Sequence, residues 1–275
     1  MTLAEALRKA AALGVARLDA QLLLLHVLQR PAGDRAWLIS HDDDALAHEA
    51  GARFAELATR RAAGEPLAYL VGHKEFFGLP LQVDARVLVP RPDTETLVEW
   101  ALEVLQGRNA PRVIDLGTGS GAIALAIQQA RPDALVEAVD RSAAALEVAR
   151  ANGQRLGLAV RFRQADWLDG AGAGYDLVVS NPPYVAAGDP HLPELRHEPV
   201  AALVAGADGL DDIRRIAAAA PARLAPNGWL LLEHGWDQAV AVRGLLAAAG
   251  LADSLSRADL AGIQRCSGAR RLELG

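Results

Sequence analysis

From Arg112 onward, short apolar runs alternate with longer segments of helical period, and this rhythm constrains the fold more than anything else in the chain. Apolar runs at 113–116, 135–139, 160–163, 175–179 and 229–233 are separated by helix-like stretches at 122–130, 143–156, 211–224 and 239–249. Strands that are apolar on both faces and joined through helices cannot pair by tight hairpins. They form a parallel sheet whose two faces are both covered by helices. The tail from Leu251 carries two weaker strand signals around residues 259–268, which can pair as an antiparallel hairpin. The expectation is an α/β fold with a mostly parallel sheet and an antiparallel last strand.

The first part of the chain reads differently. Leu3, Leu7, Ala10 and Ala11 share one helical face, a second helix is expected from Arg17 to Gln29, and a third from about Asp44 to Ala63. Pro31 and Gly33 end the second, and Gly64 caps the third. Phe76-Phe77, the run Leu79 to Val83 around Gly78, and Val87-Leu88-Val89 then read as short strands. Residues 1–73 are therefore expected to form a small helical bundle that recruits a partner, and 74–90 a β-hairpin linker. Residues 91–275 form the main domain, whose first helix opens at Arg91-Pro92-Asp93-Thr94-Glu95.

Charge and cysteine content narrow the function classes. The net charge is −6, and residues 1–90 hold ten Lys and Arg against eleven Asp and Glu. Neither gives an electrostatic case for wrapping nucleic acid. A single cysteine, Cys266, excludes an internal disulfide and a cysteine-based zinc site. The N-terminus mixes Glu5 and Arg8 into the stretch where a signal peptide needs an apolar core. The run Leu22 to Leu28 is too short to span a bilayer. The expected location is cytoplasmic.

Two loops at strand ends carry the chemistry. The first is Asp115-Leu116-Gly117-Thr118-Gly119-Ser120-Gly121, between the first strand of the main domain and its helix. Glycines there permit a tight turn and close approach of backbone to a ligand. The G-x-G-x-G spacing departs from the dinucleotide G-x-G-x-x-G and suits S-adenosylmethionine, which has no pyrophosphate. Asp140 ends the second strand, 23 positions after Gly117, where a carboxylate can accept from both ribose hydroxyls. Asp166-Trp167 follows the third strand. Asp166 can meet the adenine amine and Trp167 the ring, or both can serve only as turn and core residues.

The second loop is Asn181-Pro182-Pro183-Tyr184, directly after the 175–179 run. Two consecutive prolines remove two backbone donors and hold their predecessors extended. The chain there is left with free carbonyls beside the Asn181 amide and the Tyr184 ring, a compact set of acceptors with an aromatic platform.

These two loops together resemble class I S-adenosylmethionine-dependent N-methyltransferases, which act on planar amine or amide nitrogens. Pro90-Arg91-Pro92-Asp93-Thr94-Glu95, Asp189-Pro190-His191-Leu192, Glu198-Pro199 and Leu231-Leu232-Glu233-His234-Gly235 extend the resemblance to the HemK/PrmC family over essentially the whole chain. The resemblance implies a Rossmann-like class I methyltransferase domain using S-adenosyl-L-methionine. It also implies methylation of the side-chain amide of the Gly-Gly-Gln glutamine in peptide chain release factors. The implied cofactor residues are Gly117, Thr118, Gly119, Ser120, Gly121, Asp140, Asp166, Trp167 and Asn181. The implied substrate residues are Asn181, Pro182, Pro183 and Tyr184, with Asn181, Pro182 and Tyr184 catalytic and no metal. The stretch from Gly262 to Gly268 departs from the family pattern expected between the last two strands.

An amide nitrogen is a poor nucleophile, and Asn181 is no base. What the loop can supply is position and electrostatics. Asn181 Oδ1 and the Pro182 carbonyl can accept the two N–H bonds of one planar NH₂ group, and both bonds strengthen as the nitrogen gains positive charge. Adenine presents the same group, so a DNA or RNA adenine N-methyltransferase is the competing reading. Against it stands the lack of an evident target-recognition domain. A nicotinamide-binding or non-catalytic Rossmann protein is disfavoured by the glycine spacing and the proline pair. His191, His197 and His234 have no metal-site spacing, and Glu198 either contacts substrate or orders the long loop. The protein is expected to be a monomer when free.

Overall fold

The computed structural model describes residues 1–273, which divide into two compact units, Met1–His73 and the residues from Lys74 onward. The first is helical: α1 (Leu3–Ala12), α2 (Arg17–Val27), α3 (Arg35–Ser40), α4 (His48–Ala62) and α5 (Leu67–Val71). Leu3, Ala6, Leu23, Leu24, Leu25, Phe54 and Leu57 form its core. Ala11, placed on the apolar face of α1 by spacing, is exposed, and Ala6 is buried instead. The expected helix start near Asp44 moves to His48, because residues just before it pair with the N-terminus. Leu46 N–H donates to the Met1 carbonyl, and Thr2 bridges Ala45.

The second unit opens with β1 (His73–Phe76) and β2 (Leu79–Gln82), a two-stranded sheet. The expected strand at Val87-Leu88-Val89 does not form. Val87 N–H closes a turn onto the Asp84 carbonyl, and Val89 N–H donates to the Glu198 side chain. Val87 and Val89 are buried all the same. The apolar run reports packing, not a ladder.

Then come α6 (Glu95–Val104), β3 (Arg112–Leu116), α7 (Ala122–Ala130), β4 (Leu135–Asp140), α8 (Ala143–Leu156), β5 (Arg161–Gln164) and β6 (Tyr175–Ser180). They are followed by α9 (Asp211–Ala219), β7 (Leu224–Glu233), α10 (Ala239–Ala248), β8 (Ala252–Ala258) and β9 (Gln264–Arg270). The helix expected to run to Leu224 stops at Ala219, because Pro221 cannot donate a helical hydrogen bond and disfavours helix at the residue before it. Gln264 to Gly268, expected as a loop departing from the family pattern, lies within β9.

The seven-stranded sheet has the order β5-β4-β3-β6-β7-β9-β8. Five strands are parallel, β9 runs antiparallel to β7, and β8 antiparallel to β9. Successive residues serve opposite cores: Val113, Leu177, Val179 and Leu231 on one face, Ile114, Val178, Leu230 and Leu232 on the other. Helical α6 and α7 residues line the first core and α9 and α10 residues the second. The chain steps outward from β3 through β4 to β5, then returns to β6 beside β3. That reversal is the switch point of a doubly wound sheet, where the carboxyl ends of two neighbouring strands open a crevice.

Gly268 shows how tightly one face is filled. A Cβ there would overlap Leu231 Cδ2 and press on Trp100 at 2.9 Å and the Leu230 carbonyl oxygen at 3.0 Å. Gly268→Ala is therefore expected to destabilise the protein by about 2 kcal/mol, read as a lowered urea midpoint at unchanged slope.

Candidate active site

Both chemistry-bearing loops open at the switch point. Gly117, Gly119, Asp140, Asp166, Trp167, Asn181 and Pro183 line one crevice at the carboxyl ends of the parallel strands. Gly117 and Gly119 hold positive φ (68° and 55°), and a Cβ on Gly119 would meet open space. At Gly119, backbone is thus presented to the crevice without side-chain cover.

Thr118, Ser120 and Gly121 do not line the crevice; they build the turn. Thr118 Oγ1 donates to Asp115 Oδ2 at 2.6 Å, the Ser120 carbonyl accepts from Asn152 Nδ2 at 2.9 Å, and Gly121 is the left-handed cap of α7. Asp140 closes the same turn from β4, accepting from Gly119 N–H at 3.0 Å and Ser142 N–H at 2.8 Å. Each carboxylate oxygen keeps a lone pair for a ligand.

Asp166 and Trp167 are both tied to α9. Asp166 Oδ2 accepts from Arg215 at 2.5 Å, and Trp167 Nε1 donates to Asp212 Oδ1 at 3.1 Å. The Trp167 ring lies against Gly117, where an added Cβ would meet it at 3.1 Å. The indole is therefore both a wall of the crevice and a reason for glycine at 117.

Pro182 and Pro183 are buried, while Asn181 and Tyr184 are half-buried. Asn181 Nδ2 donates to Thr94 Oγ1 at 3.2 Å. Tyr184 does not line the crevice. Its hydroxyl donates to Glu233 Oε1 at 3.3 Å and its carbonyl accepts from Gln238 Nε2 at 3.1 Å. Burial raises the Tyr184 hydroxyl well above the ordinary phenol range, so it stays protonated and a donor.

Three residues around the site, Thr94, Asp115 and Glu233, carried no assigned role from sequence, and a fourth, Glu198, was left between substrate contact and ordering of the long loop. Thr94 and Glu233 stand behind the Asn181 loop. Glu198 is buried and accepts from Val89 N–H at 3.1 Å and from Arg91, so it fastens the loop after β6 to the segment before α6. Asp115 is buried under the glycine turn, accepts from Thr118 and from Ala124 N–H at 3.3 Å, and leaves Oδ1 without a partner. Three of them are acidic residues that end up buried, a signal visible in sequence only where the carboxylate follows or interrupts an apolar run, as at 230–233.

Of the histidines, His234 is buried, with Nε2 at 2.7 Å from Ser267 Oγ and Nδ1 at 2.9 Å from the Gly235 carbonyl. His191 bonds Asp189. No metal-binding cluster of His, Cys, Asp or Glu occurs among the described residues.

Burial pushes the Asp115 carboxyl up to about 7 from an ordinary 3.8. A carboxyl that is easier to protonate folded than unfolded contributes stability at low pH, and that contribution is lost as pH rises from about 4 to about 7. Asp115→Asn removes this titration. The stability difference between variant and wild type is expected to shift in the variant's favour by on the order of 2 kcal/mol between about pH 5 and about pH 8. Urea titrations at the two pH values check it; a pH-independent difference would mean Asp115 is not the titrating group.

The known proteins that resemble this chain are consistent with one another. The Methyltransferase small domain family matches residues 94–234, and the PrmC N-terminal domain family matches residues 2–72. A release factor glutamine methyltransferase from Bordetella pertussis is 55% identical over 261 residues, covering 93% of this chain and 95% of that protein. The chain belongs to the release factor glutamine methyltransferase family. Among solved structures, the hMettl16 catalytic domain in complex with a MAT2A 3'UTR hairpin superposes at TM-score 0.59, 17% identity, covering 80% of this chain and 83% of that one. T. thermophilus RsmC in complex with AdoMet and guanosine superposes at 0.55 and 22%, covering 72% of this chain and 49% of that one. At these identities the two structures speak for the class I methyltransferase fold, which family membership shares, and not for substrate.

Proposed function

We propose that this protein transfers the methyl group of S-adenosylmethionine to the side-chain amide nitrogen of the Gly-Gly-Gln glutamine in peptide chain release factors. The observation that carries the chemistry is that Asn181 opens on the same crevice as the Gly117–Gly119 backbone and Asp140, with its own amide nitrogen engaged by Thr94. With Nδ2 turned to Thr94, Oδ1 is the end of the amide available to a substrate N–H. The relative's identity over nearly full length supplies the substrate class.

The residues fit S-adenosylmethionine. The bare backbone at Gly119 admits close approach, Asp140 retains lone pairs for the ribose, and Trp167 and Asp166, which line the same crevice, are assigned to the base. When bound, the cofactor supplies a methyl group on a sulfonium whose leaving group is a neutral thioether. The chain's own part is to hold the amide nitrogen. Asn181 Oδ1 and the Pro182 carbonyl accept its two N–H bonds, Pro183 keeps the loop rigid, and Tyr184, held from behind by Glu233, supports the loop in place of the expected contact with the planar group. No general base stands in the clamp, and none is needed before attack, because the proton leaves once the nitrogen has become cationic. The bundle at 1–73 is assigned to recognition of the protein substrate. Release factors are the partners, with no direct contact to nucleic acid or membrane, and the protein is a cytoplasmic monomer when free. No helix among the described residues is long and apolar enough to cross a membrane.

Labelled S-adenosylmethionine offered with a release factor and with DNA or RNA in parallel tests this reading. Label is expected in the release factor. Label in nucleic acid and none in the factor would replace this reading by an adenine N-methyltransferase.

A further inference from the structure

Behind the Asn181 loop lies a short relay of polar groups that the clamp itself does not explain. Glu233 ends β7 and is 1% exposed. Its Oε1 accepts from the Tyr184 hydroxyl at 3.3 Å, while Oε2 has no hydrogen-bond partner. The Thr94 hydroxyl, which accepts from Asn181 Nδ2, lies close enough to the Glu233 carboxyl to favour its charged form. A buried carboxylate that is only partly satisfied destabilises a fold, and a neutral side chain of the same size would cost less. Such groups collect where a reaction uses them.

We infer that Glu233 is a positioning residue for methyl transfer, acting through Thr94 and Tyr184 to fix which end of the Asn181 amide faces the substrate. The inference rests on the function proposed above and deepens it. An asparagine amide can be turned over, and the two orientations are opposite in effect. One offers Oδ1 to a substrate N–H; the other offers Nδ2–H and repels it. Threonine does not decide between them, since its hydroxyl can donate or accept. An ionised carboxylate only accepts. Beside it, the Tyr184 hydroxyl donates to Oε1, and the negative field of the carboxylate turns the Thr94 hydrogen toward Glu233 as well. The Thr94 oxygen is then left to accept, and the only end of Asn181 it can accept from is Nδ2. The direction of every bond in the relay follows from one charge. A protonated Glu233 loses that polarity, because its own O–H must be given to a neighbour.

The charge is set by groups from each surrounding element. Burial raises the Glu233 carboxyl to about 7, Thr94 and Tyr184 act against that rise, Asp93 before α6 adds to it, and Arg265 on β9 opposes it. Asp93 and Arg265 face each other at 3.6 Å, so their fields partly cancel. Cys266, opposite Glu233 on β9, stays a neutral thiol because burial raises it.

The test is methyl transfer to a release factor from about pH 5.5 to about pH 9 by wild type, Glu233→Gln and Glu233→Asp, with cofactor binding measured separately. In wild type, kcat is expected to fall on the acid side through an apparent pKa near 7. Glu233→Gln presents a donor as well as an acceptor and so cannot polarise the relay. It is expected to lose about 10²-fold in kcat and to lose the acid limb, with cofactor Kd within about threefold of wild type. Glu233→Asp keeps the charge and should keep the limb. An unchanged acid limb in Glu233→Gln overturns the inference. So does parallel loss of cofactor binding and thermal stability, which marks a merely structural residue. A wild-type protein that methylates no release factor at any pH would instead sink the proposed function, so the two failures are separable.

Discussion

Asn181→Ala is expected to lower kcat for the release factor by about 10³-fold while cofactor affinity changes by less than about threefold. Asn181 is proposed to contribute an acceptor to a nitrogen whose two N–H bonds become more acidic as positive charge develops. Losing that acceptor removes stabilisation realised in the transition state and lets the nitrogen tilt out of line with the methyl group. The Pro182 carbonyl survives in the variant, but one acceptor fixes one bond and leaves rotation about it free. The cofactor side is spared because the glycine turn and Asp140 do not bond to Asn181, whose amide nitrogen is spent on Thr94. Single-turnover rates beside calorimetric cofactor titrations check both halves. Unchanged turnover would end the positioning role; a matching loss of cofactor binding would mean Asn181 acts on the other substrate.

Asp140→Ala is expected to do the reverse, weakening cofactor binding by about 10²-fold or more. Two things go at once. The carboxylate is proposed to accept from two ribose hydroxyls, and hydrogen bonds to a charged group are each worth about 1.5–3 kcal/mol. It also holds Gly119 N–H at 3.0 Å and Ser142 N–H at 2.8 Å, so its removal loosens the turn and the start of α8 together. Asp140→Asn keeps an acceptor but gives up the charge, and should fall between the alanine variant and wild type. A Kd for Asp140→Ala within threefold of wild type would place the ribose elsewhere.

The sheet was legible because its strands are apolar on both faces. Val113 and Ile114, or Leu230, Leu231 and Leu232, serve opposite cores in succession, and only a doubly covered sheet asks for that. Helices α3 and α5 were not legible, since six and five residues give less than two turns of periodicity to read. The first half of β7 was hidden by Pro226-Asn227-Gly228, which reads as a turn but continues the strand, with Asn227 at φ 58°. In the site, residues that face the crevice could be proposed from loop chemistry: glycines, a carboxylate at a strand end, an amide just before two prolines. Thr94, Asp115 and Glu233 could not, because what they do depends on which side chain stands behind which. Thr94 is 87 positions from Asn181, and Tyr184 is 49 from Glu233. Spacing along a chain carries no signal for such pairs.

The Asn181-Pro182 clamp is proposed to present one amide nitrogen to the methyl donor. Fragment mass spectrometry of a release factor incubated with the protein and S-adenosylmethionine tests it most directly. A single added methyl is expected on the side-chain nitrogen of the Gly-Gly-Gln glutamine, absent when that glutamine is replaced by glutamate. A methyl on any other atom, or one that persists after the replacement, would contradict it.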